Sequence, residues 1–110
     1  MNGVQLIAAE RTRQEADEHY TPEHDDAHQR GELIKAALVY ADCAESQARG
    51  FAGHYTRTLY LTGHNPSLKW PFEPRAMKLS TKAIKNLVKA GALIAAEIDR
   101  LQRRTAKEGK

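Results

Sequence analysis

The run Ile84-Lys-Asn-Leu-Val-Lys-Ala-Gly-Ala-Leu-Ile-Ala-Ala-Glu-Ile-Asp-Arg-Leu101 decides the fold of this chain. Its seam residues recur at three- and four-residue steps, and they are Ile84, Leu87, Val88, Gly91, Ile94, Ile98 and Leu101. This spacing predicts a long amphipathic helix, for which Ser80 or Thr81 is a candidate N-cap. Gly91 stands in the seam, so we expect another helix to approach the seam closely at that residue.

The C-terminal end of this predicted helix is basic. Its cations are Arg100, Arg103, Arg104, Lys107 and Lys110, and they suit the negative end of a helix dipole. We expect residues 103–110 to fray. Glu97 and Asp99 lie away from the centre of the seam, so we expect both carboxylates to face solvent.

Two further helices are predicted upstream. The first runs from about Val4 to His19 and becomes almost wholly polar after Glu10, and the second runs from roughly Asp26 to Arg49. Gly31 lies inside the second and marks a helix boundary or a close approach of another group. The sequence therefore predicts an all-α fold, a small three-helix domain over residues 1–110. Because so much of its apolar surface is alanine, we expect a thin core and a homo-oligomer.

Residues 50–80 are predicted to form an ordered loop insertion between the second and third helices. Six helix-breaking residues interrupt this segment: Gly50, Gly53, Gly63, Pro66, Pro71 and Pro74. The β-prone run over residues 55–62 predicts a short extended piece or β-hairpin. Disordered segments are poor in aromatics, and this one holds five, namely Phe51, Tyr55, Tyr60, Trp70 and Phe72.

The bulk composition narrows the class of protein. The chain of 110 residues is 41% hydrophobic and 28% charged, which is typical of one globular domain. It lacks a secretory signal and any apolar run approaching the roughly 20 residues that span a bilayer. The single cysteine, Cys43, excludes an intramolecular disulfide and is expected to be a small buried residue. We therefore expect a protein of the cytoplasm that does not bind membranes.

Charge is divided unevenly along the chain. Residues 1–32 carry three Arg or Lys against eight Asp or Glu, a net charge of −5. Residues 33–110 carry fourteen against six, a net charge of +8. We expect the acidic and basic parts to attract each other, within one chain or between subunits, and the basic part to be able to hold phosphates.

The polar segment Tyr20-Thr-Pro-Glu-His-Asp-Asp-Ala-His-Gln-Arg-Gly-Glu32 precedes the second helix. It is dense in side chains that ligate, titrate or donate hydrogen bonds. Asp25 or Asp26 would serve as a helix cap, with Gln29 completing a capping box. Capping leaves the tyrosine and the two histidines of this segment unexplained, so the segment indicates either a helix start or a site.

A nucleotide-like ligand would be bound chiefly by side chains from two segments, residues 20–28 and residues 70–78. The eight predicted contacts are Arg11, Tyr20, His24, Asp25, Asp26, His28, Trp70 and Lys78. Tyr20 or Trp70 would stack on a base, and the two aspartates would bind ribose hydroxyls or amines. Lys78 and Arg11 would bind phosphates. Trp70 has a structural alternative, as a core residue that covers the helices.

Three alternatives remain open at this point. His24 and His28 would share a helical face and, with Asp25, Asp26 or Glu32, would hold a metal ion. Nucleotide pyrophosphohydrolases of the MazG type pair two E-x-x-E or E-x-x-D motifs around Mg²⁺, and Glu15-x-x-Glu18 is one such spacing, without a second. A DNA- or protein-binding adaptor would use the basic C-terminus, which lacks interleaved aromatics.

Most of the chain resembles a group of short phage and prophage proteins. The matching residues are Glu10-Arg11-x-Arg13-Gln14, Tyr20-Thr-x-Glu-His-Asp-Asp-x-His-x-x-Gly-Glu-Leu33, Ala36-Ala37 with Tyr40-Ala41, Trp70-Pro71, Lys78, and Leu87 to Leu101. Such proteins usually carry a W-P-W run, whereas this chain reads Trp70-Pro-Phe72. The zones Tyr20 to Asp26 and Trp70 to Lys78 are also similar to the ryanodine-receptor-type repeat domain, a helical module for which nucleotide-ligand binding has been proposed.

These resemblances imply a concrete function. Small phage proteins often block host defence by sequestering nucleotide second messengers, as homo-oligomers in the host cytoplasm. The resemblance therefore implies a protein that binds a nucleotide-derived immune signal without catalysis and without a cofactor. A MazG-like metal-dependent hydrolase and a DNA- or protein-binding adaptor are the alternative functions.

Overall fold

The computed structural model describes residues 1–50 and 56–109, and it is all-α over those residues. Five α-helices follow one another in the order α1 (Gly3–Asp17), α2 (Pro22–Asp26), α3 (Glu32–Ala48), α4 (Thr56–Thr62) and α5 (Ala83–Glu108). Two 3-10 turns, Pro66–Leu68 and Pro74–Ala76, lie between α4 and α5. None of the helices in this described part is long and apolar enough to cross a membrane.

The second predicted helix is divided into α2 and α3. Gly31 has a left-handed backbone (φ 82°) and immediately precedes α3, so it is the helix boundary. The predicted cap of the second helix by Asp25 or Asp26 is wrong, because both aspartates lie within α2 and Gly31 occupies the N-cap position of α3. The Thr21 side chain caps α2 by accepting a hydrogen bond from the amide of His24. Pro22 occupies the first turn of α2, where its missing N–H costs nothing.

The predicted extended piece or hairpin over residues 55–62 is wrong where the structure describes it. Residues 56–62 form helix α4, whose Tyr60 is buried and donates its hydroxyl to Asp42 at 2.6 Å. A buried aromatic anchored to α3 outweighs the β preference of the run. Residues 51–55, which include Phe51 and Tyr55 of the predicted loop, lie outside the described residues.

The core lies chiefly between α3 and α5, with the loop between α4 and α5 covering one side. Helix α3 contributes Leu33, Ala36, Ala37, Val39, Tyr40 and Cys43, whereas α5 contributes Ala90, Leu93 and Ala96. Small alanine side chains on both helices allow their axes to approach closely. Cys43 is buried as expected, and burial raises the pKa of its thiol.

Helix α5 buries a different face from the one its seam predicts. Its buried positions include Asn86, Ala90, Leu93, Ala96, Glu97 and Arg100. Glu97 was expected in solvent, yet it is buried and paired with Arg100 three residues on. The prediction failed for two reasons. Glu97 and Arg100 neutralise each other's charge and can therefore be buried together, and the alanines beside them pack against α3. Helix α5 also continues through residues 103–108.

Gly91 is the point at which α1 meets α5. A Cβ atom at this glycine would lie 2.5 Å from Cδ1 of Ile7, so any larger residue would force the Ile7 side chain to move. This contact confirms the expected close approach of another helix at the seam.

The N-terminal end of α5 is fixed by a buried asparagine. Neither Ser80 nor Thr81 caps the helix, because Lys82 occupies the N-cap position without a side-chain hydrogen bond. The Asn86 side chain instead accepts from the amide of Ser80 at 2.9 Å and donates to Gln47 Oε1 at 2.9 Å. It thereby joins the loop, α3 and α5 at one point.

Candidate ligand-binding groove

An open groove of about 790 Å³ lies where the end of α1 and helix α2 face the loop that precedes α5. We call it the ring groove. One wall holds residues 17–20 with His24 and His28, and the other holds residues 71–73, 75, 76 and 78. The polar segment after α1 and the tryptophan-proline segment therefore fold against each other within one chain.

The end of α1 turns sharply to form the first wall. His19 has a left-handed backbone (φ 59°), which is uncommon for a residue with a side chain. The amide of Tyr20 then folds back to donate to the carbonyl of Gln14 at 3.0 Å. This turn ends the helix and brings the tyrosine ring over α2.

Three rings on this wall form a short column. The ring centroids of Tyr20 and His24 are 4.7 Å apart and nearly parallel, at 19°. His24 and His28 are 4.4 Å apart, at 33°. The four-residue spacing of the histidines does place them on one face, because the chain continues to turn after α2, with the amide of His28 bonded to the carbonyl of Asp25.

Both imidazoles in the column are held through Nδ1. His28 Nδ1 lies 2.8 Å from the backbone carbonyl of His24, and a carbonyl only accepts, so this nitrogen carries the proton. His24 Nδ1 lies 3.2 Å from Oδ1 of Asp25, whose carboxylate is the natural acceptor. Each neutral ring therefore keeps its Nε2 lone pair for another partner.

Asp25 lies beneath the column. It is fully buried, and its other carboxylate oxygen is 3.9 Å from Nη1 of Arg11 on α1. Burial raises the pKa of Asp25, although the hydrogen bond from His24 and the charge of Arg11 oppose that shift. The predicted contacts Asp25 and Arg11 thus support the column from behind and do not line the ring groove.

Phe72 forms the facing wall. Its ring centroid lies 5.1 Å from His28 in an edge contact and 6.3 Å from Tyr20. Trp70 packs behind Phe72, with centroids 5.7 Å apart. Trp70 is buried, packs edge-on against Tyr40 and donates its indole N–H to the carbonyl of Glu73 at 2.9 Å, so it is a core residue in this chain.

The loop that carries this wall is anchored to the helices. Arg57 on α4 donates to the carbonyls of Met77 and Pro74, at 2.7 and 2.9 Å. The amide of Lys78 donates to the hydroxyl of Tyr40 on α3 at 2.9 Å. Burial raises the pKa of Tyr40, so this hydroxyl stays protonated.

Charged groups of both signs surround the rings. Lys78 Nζ pairs with Glu18 at 2.9 Å, and Arg75 pairs with Glu73 at 3.0 Å. Arg75 and Lys78 are mostly solvent-accessible. Burial and the nearby carboxylates of Glu18 and Asp25 raise the pKa of Tyr20 to about 12, so the phenol is a hydrogen-bond donor at neutral pH.

Four of the eight predicted contacts therefore meet in the ring groove, and they are Tyr20, His24, His28 and Lys78. The other predicted aspartate, Asp26, faces the opposite way. It bonds Arg103 of α5 at 2.7 Å, and this guanidinium lowers the pKa of Asp26 below its ordinary value.

Several groove residues were not in the predicted set. Phe72 takes the position that Trp70 was expected to hold, and Asp17, Glu18, Glu73 and Arg75 complete the walls. Phe72 stands where the resembling proteins have the second tryptophan of their W-P-W run. That position was a usable signal for Phe72, because Trp70 and Phe72 flank the same proline. Nothing in the local sequence indicates that the last turn of α1 faces the loop.

The carboxylates of the metal-binding alternative have separate partners. Asp25 contacts His24, Asp26 contacts Arg103, and Glu32 accepts from the amide of Arg30 at 2.6 Å. Over residues 1–50 and 56–109, no group of three or more His, Cys, Asp or Glu side chains is arranged to hold a metal ion.

A second, basic groove of about 590 Å³ lies at the C-terminal end of α5. Its cations are Arg30, Arg100, Arg103, Arg104 and Lys107. Three of them already pair with carboxylates: Arg100 with Glu97, Arg103 with Asp26, and Arg104 with Glu108. Comparisons with family models, with curated proteins and with solved structures find no match to this chain.

Proposed function

We propose that this chain binds a nucleotide-derived small molecule in the ring groove and acts by sequestering it. The observation that carries the proposal is the column of Tyr20, His24 and His28 opposite Phe72. Aromatic and imidazole rings bind planar bases by stacking, and such contacts tolerate many bases. The end of the column and the Phe72 ring offer two places for a base.

Hydrogen bonding supports the same class of ligand. The two free Nε2 atoms accept from amino or hydroxyl groups of a ligand. Asp17, which is exposed on the groove wall, accepts from ribose hydroxyls. With the cations of Lys78 and Arg75 on the facing wall, the groove fits a ligand that carries a base, a sugar and a phosphate.

Lys78 and Arg75 supply the positive charge for a phosphate. Both now pair with carboxylates on the groove wall. The Arg75–Glu73 pair is exposed, and pairs of this kind contribute only about 0–1 kcal/mol, so a phosphate replaces Glu73 at little cost. Glu18 is mostly buried, and it keeps Arg13 as a partner when Lys78 turns to a phosphate. The phosphate gains charge-assisted hydrogen bonds in return.

The biological consequence rests on the resemblance to phage proteins. A protein present well above its Kd removes the free signal without any chemistry. We propose that the ligand is a nucleotide-derived immune signal and that the protein acts as a homo-oligomer in the host cytoplasm. Inhibition of a host antiviral pathway would follow directly from depletion of that signal.

The test uses a panel of cyclic dinucleotides, ADP-ribose derivatives and deoxynucleoside triphosphates, each with and without Mg²⁺ or Mn²⁺. After incubation the protein is heat-denatured and the supernatant is separated by chromatography. Sequestration predicts that one probe is retained by the native protein and released intact. New products that need the metal would favour the hydrolase alternative, and no retention of any probe would contradict the proposal.

Two variants locate the binding in the groove. Phe72→Ala removes one wall of the groove. We expect it to weaken the binding of the retained probe at least about tenfold, because that is the size of the effect of losing one stacking contact. Leu61→Ala is the matched control, because Leu61 is a partly buried apolar residue on the same core but not on the groove walls. Equal effects of the two substitutions would indicate a general loss of stability instead.

A further inference from the structure

The apolar seam of α5 is exposed along most of its length. Five large side chains remain 43–68% exposed, and they are Ile84, Leu87, Ile94, Ile98 and Leu101. They follow steps of three and four with Gly91 between them, the repeat that packs one helix along another. Single exposed aliphatic residues are ordinary, but a continuous stripe over five turns of one helix indicates an interaction surface.

Nothing in the described part of the chain covers this stripe along its length. Helix α3 packs on the face of α5 that holds Asn86, Leu93 and Arg100. Helix α1 reaches the stripe at Gly91, through Ile7, and leaves the aliphatic residues on either side exposed.

We propose that the stripe binds a second copy of this chain, with the two α5 helices antiparallel about a twofold axis. The order of residues along the stripe is the reason for choosing a second copy of this chain as the partner. About a midpoint between Ala92 and Leu93, Ile84 lies opposite Leu101 of the second copy and Leu87 lies opposite Ile98. At the centre, Ile94 of the second copy faces Gly91 and the Ile7 side chain that lies over it, so Ile94 packs on Ile7. A surface that matches itself under a twofold rotation is what an isologous interface requires.

The area of the stripe is sufficient for such a dimer. Its five side chains expose on the order of 500 Å² together, so two copies would bury about 1,000 Å² before flanking residues are included, which is where specific interfaces begin. The residues beside the stripe include the small, uncharged Ala83 and Ala95. Depletion of charge from the centre is typical of protein interfaces, and small flanking residues allow close approach.

Charge favours the antiparallel direction. In a parallel pair the basic ends of both helices, each with Arg100, Arg103, Arg104 and Lys107, would lie side by side and repel. The antiparallel pair separates these ends by the length of the stripe and also opposes the two helix dipoles. This interface lies apart from the ring groove. A monomeric protein would therefore remove the homo-oligomer from the proposed function and leave ligand binding in the groove untouched.

The first test is the mass in solution. Sedimentation equilibrium should find the protein dimeric, and Ile98→Glu should weaken dimerisation by roughly 100-fold, because the dimer would bury two unpaired carboxylates. Ala9→Glu is the matched control, since Ala9 is an exposed residue on α1 and the charge change is the same. Circular dichroism checks that each variant keeps its helices.

If Ile98→Glu loses its helices, Ile84→Glu replaces it, because Ile84 is 68% exposed and its substitution spares the packing within the chain. A wild-type protein that stays monomeric at high concentration would overturn the proposal. So would a dimer that neither substitution weakens.

The second test measures direction. A spin label at Gln102→Cys should report a distance of about 28 Å between the two copies if α5 pairs antiparallel, and about 10 Å if the helices are parallel, given a rise of about 1.5 Å per residue. Cys43 is 1% exposed and should remain unlabelled. A short distance would overturn the antiparallel arrangement.

Discussion

Single residues hold the ring groove in shape. His19 adopts a left-handed backbone that turns the chain out of α1, and this conformation destabilises the fold by on the order of 1 kcal/mol. The Thr21 side chain offsets part of this free energy by capping α2. Asp25 then fixes His24 from below. The column of rings therefore depends on the backbone of His19 and on Thr21 and Asp25, and the last two lie outside the groove walls.

Asp26 makes a contribution to stability that depends on pH. Its folded-state pKa is held below the ordinary value of 3.8 by Arg103, so its stabilising effect is fully present above that pH and is lost as the pH falls through the folded-state pKa. We expect Asp26→Asn to lower the free energy of unfolding at neutral pH. The difference from the wild type should disappear in acid.

Denaturant titrations at several pH values measure this difference. Glu23→Gln is the control, because Glu23 is an exposed carboxylate of the same short helix. A loss of stability in Asp26→Asn that stays constant down to the lowest pH would show that the ion pair with Arg103 does not carry the effect.

At the scale of elements, the loop between α4 and α5 is held by side chains that reach it from three helices. Arg57 of α4, Tyr40 of α3 and Asn86 of α5 each bond its backbone. Backbone groups of a loop need such partners when helices do not supply them. The facing wall of the ring groove is therefore anchored to α3, α4 and α5.

Asn86 should be the most sensitive of these anchors. Asn86→Ala would leave the part-buried amide of Ser80 and Oε1 of Gln47 without their partner, so we expect a loss of about 2 kcal/mol in the free energy of unfolding. Chemical denaturation measures the loss. Lys85→Ala, one residue away and exposed, should change stability by less than about 0.5 kcal/mol. Equal effects would contradict the anchoring role.

The elements also indicate how far sequence reasoning reaches. Periodicity correctly located α1, α3 and α5, and Gly31 and Gly91 marked a boundary and a close contact, because those features depend on local geometry. The buried face of α5 was misjudged, since alanines and a self-neutralising Glu97–Arg100 pair pack as well as large aliphatic residues. Helix α4 was missed because its burial through Tyr60 depends on a distant partner on α3.

At the scale of the whole molecule, the division of charge along the chain has a structural role. The acidic N-terminal part and the basic remainder meet within one chain, through Glu18 with Lys78 and Asp26 with Arg103. These pairs join the segment after α1 to the loop that precedes α5 and to the C-terminal part of α5. Sequence predicted the attraction, and four of the eight predicted contacts lie in the groove. Asp26, Arg11 and Trp70 serve the fold instead, because their partners are fixed only by tertiary packing.

The measurement that tests the central proposal most directly is an NMR titration of isotope-labelled protein with the probe that the chromatography selects. Binding in the ring groove predicts shift changes concentrated in residues 17–28 and 71–78, including the imidazole Nε2 signals of His24 and His28. The Lys78→Gln variant should weaken these changes, and Lys85→Gln should not. Shift changes confined to residues 100–108, at the basic groove, would contradict the account.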